Sequence, residues 1–352
     1  MKTWYLRSVA SLLAIIFVAA LTGCASTGTQ VAPLVTEEFM VPSTVAGIDL
    51  YVRNKHAAGT DKFSGDKIVL FVHGATYPAE TAFDLKLDGL SWMEYIARAG
   101  YDVYLVDVRG YGRSTRPAAM DQPANQNQPF ANTADAAADV GSAVDFIRKR
   151  RGVEKINLLG WSWGAGIMSL YTTGNNAKVN KLALYAPQWL RTTASLVTVA
   201  PGALAAYRVV DMNSAKTRWL TGVAADKQKE LIPPGWFEAW AAATLASDPW
   251  GSRQTPPVIR APNGVVADGT NYWSAGKPRF DPAEIRVPTL LIKAEWDADL
   301  PAYMAQALFP KLVNAPYKRY IEIGEGTHTI IMERNRMQLF RGVQQFLDES
   351  GP

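Results

Sequence analysis

The chain of 352 residues is 48% hydrophobic and 19% charged, a balance that excludes disordered and collagen-like classes and leaves material for one large core or two small ones. Its 36 Lys and Arg against 32 Asp and Glu include no basic cluster interleaved with aromatics, so nucleic acid is not expected as a partner.

The first element reads as a leader. Lys2 and Arg7 precede an apolar run from Val9 to Leu21, and no acidic residue occurs in the first 23 positions, the order of charge and apolar residues found in export signals. The run is shorter than the ~20 apolar residues that a membrane span requires. It ends in Leu21-Thr22-Gly23-Cys24, which resembles the lipobox of bacterial lipoproteins. That resemblance covers only the first 24 residues. It implies a signal peptide over 1–23, lipidation of Cys24 and, with Ala25 rather than Asp next, passage to the outer membrane facing the periplasm. Cys24 is the single cysteine, so no internal disulfide is available in an oxidising compartment; the alternative is a free or disulfide-bonded cysteine. Small and polar residues over 24–35 read as a tether. Loss of the signal leaves 34 basic against 32 acidic residues, a net charge of +2.

From residue 36 onward, short apolar runs alternate with helix-like segments. Strands are predicted at 67–73 (KIVLFVH), 101–107 (YDVYLVD), 155–159 (KINLL) and 181–185 (KLALY), and helices at 90–99, 133–150 and 164–173. Continuous runs of Val, Ile and Leu without alternation fit strands buried on both faces of a parallel sheet, and their alternation with helices predicts a doubly wound α/β fold. The rhythm returns after 287 with strands at 288–293 and 317–323 and helices at 302–309 and 331–347. Residues 36–187 and 287–350 are thus assigned to the core. The intervening 188–286, rich in Ala and Pro and holding six of the eleven tryptophans, shows no clear strand. It reads as a mainly helical lid over the carboxyl ends of the strands, where α/β folds bind ligands; the alternative is a helical pack on the surface.

Gly160-Trp161-Ser162-Trp163-Gly164 fits the G-x-S-x-G pattern between a predicted strand and a predicted helix, the context in which that pattern presents a nucleophile. A serine hydroxyl needs a base within hydrogen-bond reach, usually a histidine held by a carboxylate. Of the three histidines, His328 in "GEGTHTI" follows the last predicted strand. Glu295, Asp297 and Asp299 in "LLIKAEWDADLP" follow the strand before it.

Taken together, "VLFVHGAT", "DVRGYGRS" and "GWSWG" resemble the α/β-hydrolase family over about residues 36–350. The resemblance implies an α/β-hydrolase fold with Ser162 as nucleophile, His328 as base and an acid between them in chain order. It implies a structural role for His73 in the His-Gly turn. The family's Gly-x-x-Asp-x-x-x-Pro is matched by Ala294 to Pro301, with Ala294 departing from glycine, which selects Asp297 over Asp299. The implied oxyanion donors are the backbone N–H groups of Ala75 and Trp163. Arg109 is read as a turn residue bonding backbone carbonyls rather than as an anion clamp. Trp161 and Trp163 are read as packing against sheet and lid. Serine at 162, where dehalogenases and epoxide hydrolases carry aspartate, argues against those activities.

Gly110 and Gly112 lack the G-x-x-x-x-G-K pattern of a phosphate loop, and no spacing of Cys and His suggests a metal site. The expectation is a cofactor-free, membrane-tethered carboxylic ester hydrolase acting on a small-molecule ester with an apolar or aromatic acyl part, because six tryptophans with few charges beside them suggest an apolar pocket. The same triad could instead serve a carbon–carbon (β-diketone) hydrolase, a cofactor-free haloperoxidase or an aminopeptidase. From another class, an envelope binding lipoprotein on a retired fold would have lost one of Ser162, Asp297 or His328, and none is lost.

Overall fold

The structure, a computed structural model, describes Met1 and residues 32–197, 199 and 202–350. The segments expected to be a leader and, for the most part, a tether lie outside the described residues, as does Cys24.

Eight strands form one sheet. In chain order they are β1 (Leu34–Pro42), β2 (Asp49–Ala57), β3 (Ile68–Val72), β4 (Asp102–Val106), β5 (Ile156–Trp161), β6 (Val179–Tyr185), and, after a long insertion, β9 (Thr289–Ala294) and β10 (Lys318–Ile323). Their spatial order is β1-β2-β4-β3-β5-β6-β9-β10, with β2 antiparallel to β1 and β4 and all other pairs parallel. Every residue of β3, β4, β5 and β9 is buried, as expected where helices cover both faces. The covering helices are α1 (Ala79–Phe83), α2 (Trp92–Arg98), α3 (Thr133–Arg151), α4 (Trp163–Asn175), α9 (Ala302–Leu308) and α10 (Arg336–Asp348). The helix α3 starts at a capping box formed by Asn132 and Asp135 and ends at Gly152 in the left-handed region, which satisfies orphan backbone groups at both ends.

Three features depart from the expectations. The β1–β2 hairpin was not predicted. The last helix begins at Arg336 rather than 331, because Ile330–Met332 forms a separate 3-10 turn. The segment between β6 and β9 is mainly helical, with α5 (Met212–Trp219), α6 (Gln228–Leu231), α7 (Trp236–Ala246) and α8 (Gly264–Asp268), but it also holds an antiparallel ribbon of β7 (Tyr207–Asp211) and β8 (Val258–Pro262). That ribbon is tied to the turn after α7 by a buried ion pair: Arg260 Nη2 lies 2.7 Å from Asp248 Oδ1, and Asp248 Oδ2 accepts from the Arg260 backbone N–H at 2.9 Å.

Candidate active site

All the candidate residues fall at the carboxyl ends of parallel strands. Ser162 follows β5, the His73–Tyr77 loop follows β3, Asp297 and Asp299 follow β9, and His328 follows β10. Helix α4 starts one residue after Ser162. The spacing of the two flanking glycines has a steric cause: a Cβ on Gly160 would stand 2.2 Å from the Gly164 carbonyl oxygen, and a Cβ on Gly164 would stand 2.4 Å from that of Val72. Only glycine lets the helix start this close to strand and turn. Ser162 itself has φ 60° and ψ −119°, a conformation that costs a non-glycine residue on the order of 1–3 kcal/mol and recurs at functional sites. It holds the N-cap position of α4, yet its hydroxyl makes no capping hydrogen bond, so Oγ is not spent on the helix.

His328 Nδ1 lies 2.9 Å from Asp297 Oδ2, and the other carboxylate oxygen of Asp297 accepts the Leu300 backbone N–H at 2.8 Å. With Nδ1–H given to the carboxylate, the Nε2 lone pair is left as a base. Burial pulls the His328 imidazole downward, but the charge and hydrogen bond of Asp297, with help from Asp299, outweigh it and hold the ring above its ordinary value. The His328 carbonyl accepts from Tyr185 Oη at 2.6 Å and from Trp161 Nε1 at 3.1 Å, which pins the base loop to the ends of β6 and β5. Asp299 takes a different partner, Arg218, whose Nε lies 2.8 Å from its Oδ1. Glu295 accepts the Glu325 backbone N–H.

The first N–H groups of a helix have no intrahelical acceptor, which leaves that of Trp163, at the start of α4, available to an oxyanion beside Ser162. The second implied donor, Ala75 N–H, belongs to the peptide whose carbonyl is Gly74 O, and His73 holds that carbonyl at 2.7 Å. His73 Nε2 accepts the Val108 N–H at 3.2 Å, so Nδ1 carries the proton and donates to Gly74. Full burial lowers the His73 pKa against the opposing pull of Asp107, consistent with a neutral ring fixing the turn. His56 sits elsewhere, on β2, near Glu37. Arg109 keeps one of its expected backbone-carbonyl partners, Asp135 O at 3.5 Å, but its main partner is the Asp139 carboxylate on α3, to which its guanidinium is bidentate at 2.9 and 2.6 Å, because a buried carboxylate is a better fork partner than a carbonyl.

Ser162 and His328 line one cavity. Its apolar wall is Tyr77, Trp161, Ala215, Trp219 and Trp240; Trp240 packs edge-on against Tyr77 and against Trp219 at centroid distances of 4.7 and 5.3 Å. Two of the six insertion tryptophans therefore line it. Trp161 lines it as well as packing on Tyr185, whereas Trp163 is fully buried, donating to Thr133 Oγ1 at 3.0 Å. The expectation of few charges needs correction, since Arg218 and Asp299 line the cavity as an ion pair. Ala75, Ser162, Arg218 and Asp299 also border a second, more polar space that includes Gln188 and Arg191. Beneath the His328 loop, Glu333 is fully buried, accepting from Trp219 Nε1 at 2.7 Å and from the Thr327 backbone N–H at 2.9 Å. Burial pushes its carboxyl up to about 7 against those hydrogen bonds. Arg208, Arg218, Trp219 and Glu333 had no motif to mark them.

Residues 67–335 match the family described as the alpha/beta hydrolase fold. The match covers most of the chain, and the protein belongs to that family. Over 91 residues it is 31% identical to a poly(3-hydroxyalkanoate) polymerase subunit of Haloarcula marismortui, spanning 26% of this chain and only 17% of that protein's length. Among solved structures it is similar to 2-hydroxy-6-oxo-6-phenylhexa-2,4-dienoate hydrolase from a Rhodococcus strain, at TM-score 0.62 and 15% identity over 90% of this chain and 100% of that one. It is also similar to a thermophilic esterase from Thermogutta terrifontis, at TM-score 0.55 and 17% identity over 88% and 98%. At these identities the likeness is one of fold.

Proposed function

We propose that the protein is a serine hydrolase that cleaves carboxylic esters with an apolar or aromatic acyl part through an acyl-serine intermediate. The observation that carries the reading is the strained, uncapped Ser162 sharing a cavity with His328, whose Nδ1 is 2.9 Å from Asp297. In this reading His328 takes the proton from Ser162 Oγ as the hydroxyl attacks the ester carbonyl, and Asp297 stabilises the imidazolium that forms. The oxyanion is met by the N–H groups of Ala75 and Trp163, the latter aided by the positive end of the α4 dipole. His328 then protonates the departing alcohol, and water attacking the acyl-serine by the same route releases the acid. The wall of Tyr77, Trp219 and Trp240 favours apolar acyl groups by burying their surface at ~25 cal/mol per Å², and the Arg218 charge is already paired with Asp299, which favours neutral substrates.

The test is a fluorophosphonate probe with a turnover panel of p-nitrophenyl esters of rising chain length, a β-diketone and an amino-acid anilide. The probe should label the wild type and not Ser162→Ala, and equal labelling of both would remove Ser162 as nucleophile. Short-to-medium or aromatic esters should be turned over best; a β-diketone exceeding every ester in kcat/KM would replace the ester reading with a carbon–carbon hydrolase. The address is part of the same proposal: a lipoprotein held through Cys24 at the outer membrane, facing the periplasm. Cys24→Ser should move the activity from the membrane to the soluble fraction, and a variant that stays membrane-bound contradicts the lipid tether.

A further inference from the structure

One stretch of the insertion, β7 and α5, touches each of the three loops that carry the proposed reacting groups. Arg208 on β7 is braced by Pro262 O at 2.9 Å and Asn263 Oδ1 at 3.2 Å through Nη1, and through Nη2 it donates to the Ala75 carbonyl and, at 2.9 Å, to Thr76 Oγ1. Arg218 on α5 reaches Asp299, two residues beyond Asp297. Trp219, the next residue, donates to Glu333, whose carboxylate also accepts the backbone N–H and the hydroxyl of Thr327, the neighbour of His328.

A lid that only covered its site could pack on apolar contacts. Here each of three side chains instead ends on a polar group of a different loop. Arg208 makes this at a cost: among the described residues its partners are neutral oxygens, and burial brings its guanidinium down to about 10. A cation buried without a counter-ion is unfavourable for folding, and residues that break a local rule in this way mark functional demands. Loops are the mobile parts of a fold, whereas a nucleophile, its base and the oxyanion donors must be held to within about 0.5 Å.

The geometry points to Arg208, Arg218 and Trp219 as positioning residues, through which the lid completes the site by holding the Ala75, Asp297 and His328 loops in register. This rests on the triad reading above. Arg208 acts on the oxyanion loop, Trp219 on the base loop through Glu333, and Arg218 on the acid loop. Arg218 also sets the field at His328: the groups that bear on the imidazole are Asp297 and Asp299, which favour its protonation, and Arg218, which opposes it.

The experiment measures kcat, KM and the pH profile of kcat/KM for the full chain with a p-nitrophenyl ester, with thermal melts as a check on folding. Arg208→Met should lower kcat by about 10²-fold, the scale of a 1 Å misplacement, with KM nearly unchanged, and Arg208→Lys should recover part of the loss. Trp219→Phe, which keeps the aromatic wall but removes the donor, should also act on kcat. In Arg218→Gln the acid limb of the profile should move to higher pH, because Asp299 then bears on His328 unopposed, and adding Asp299→Asn should bring it back. Folded variants whose loss lies in KM, with an unmoved acid limb, would reduce the segment to a cover and overturn the inference. If Arg208→Met does not fold, Arg208→Lys and Trp219→Phe decide by the same kcat criterion. Failure of the triad reading would show separately, as fluorophosphonate labelling that survives Ser162→Ala.

Discussion

Gly164→Ala tests whether the site depends on how closely α4 approaches β3. The added methyl would lie 2.4 Å from Val72 O and 2.6 Å from His73 O, whereas comfortable C···O contacts start at ~3.3 Å, so helix and strand must part by roughly 0.7–0.9 Å. Neither obstacle is a flexible side chain; both are backbone carbonyls at the end of the strand that leads into the Ala75 loop. The displacement therefore falls between the N–H of Trp163, at the start of the helix, and that of Ala75. Overpacking of this kind costs ~1–3 kcal/mol, and a shift approaching 1 Å at the reacting centre costs about 10²-fold in rate. Gly166→Ala, half a turn along the same helix, is the control: its methyl meets nothing nearer than the Trp273 ring at 3.9 Å, and replacing a mid-helix glycine should stabilise by ~0.5–1 kcal/mol. Urea unfolding gives the stabilities, and turnover of a p-nitrophenyl ester with the rate of fluorophosphonate labelling gives the chemistry. If Gly164→Ala matches Gly166→Ala in stability and keeps the wild-type kcat, the close approach does not shape the site.

Asp297→Asn should lower kcat by about 10⁴-fold with little change in KM, since the carboxylate acts on the imidazolium of the transition state; a comparable loss from Asp299→Asn alone would transfer the acid role. His328 must be neutral to act as base and its pKa is raised, so wild-type kcat/KM should rise with pH through a midpoint above 6.5, and the residual activity of Asp297→Asn should show that midpoint displaced downward, where burial acts with less opposition. A wild-type midpoint below 6.5 contradicts the assignment. Asp248→Ala should destabilise by ~3–5 kcal/mol by leaving Arg260 buried without its carboxylate, read as a shift in the denaturation midpoint; a loss under about 1 kcal/mol would mean that the ribbon relaxes and lets Arg260 reach water.

The strands most legible in the sequence are those with both faces buried, such as β3 with IVLFV and β9 with TLLIKA, because such strands need an unbroken apolar run; the half-exposed edge strand β10 was legible as well. Strand β2, DLYVRNKHA, hides Asn54 and Lys55 in the fold. Its polar spelling became compatible with burial only once Asp84 and Glu94 were brought to 2.7 and 3.0 Å from Lys55 Nζ. The turn around Ser162 was legible for a local reason: its glycines, its φ and the helix that follows are all dictated within five consecutive residues and one neighbouring strand. Which carboxylate meets His328 is a different kind of fact. Asp297 and Asp299 are spelled alike and lie two residues apart, and the distinction comes from Arg218, which claims one of them from 81 residues away. The same holds for Arg109 and Asp139, for Trp219 and Glu333, and for the two insertion tryptophans that reach the cavity. Periodicity and turn chemistry are short-range and leave a regular trace along the chain, whereas these pairings join single, unlike side chains across long separations and exist only when the packed core has set the distance between them.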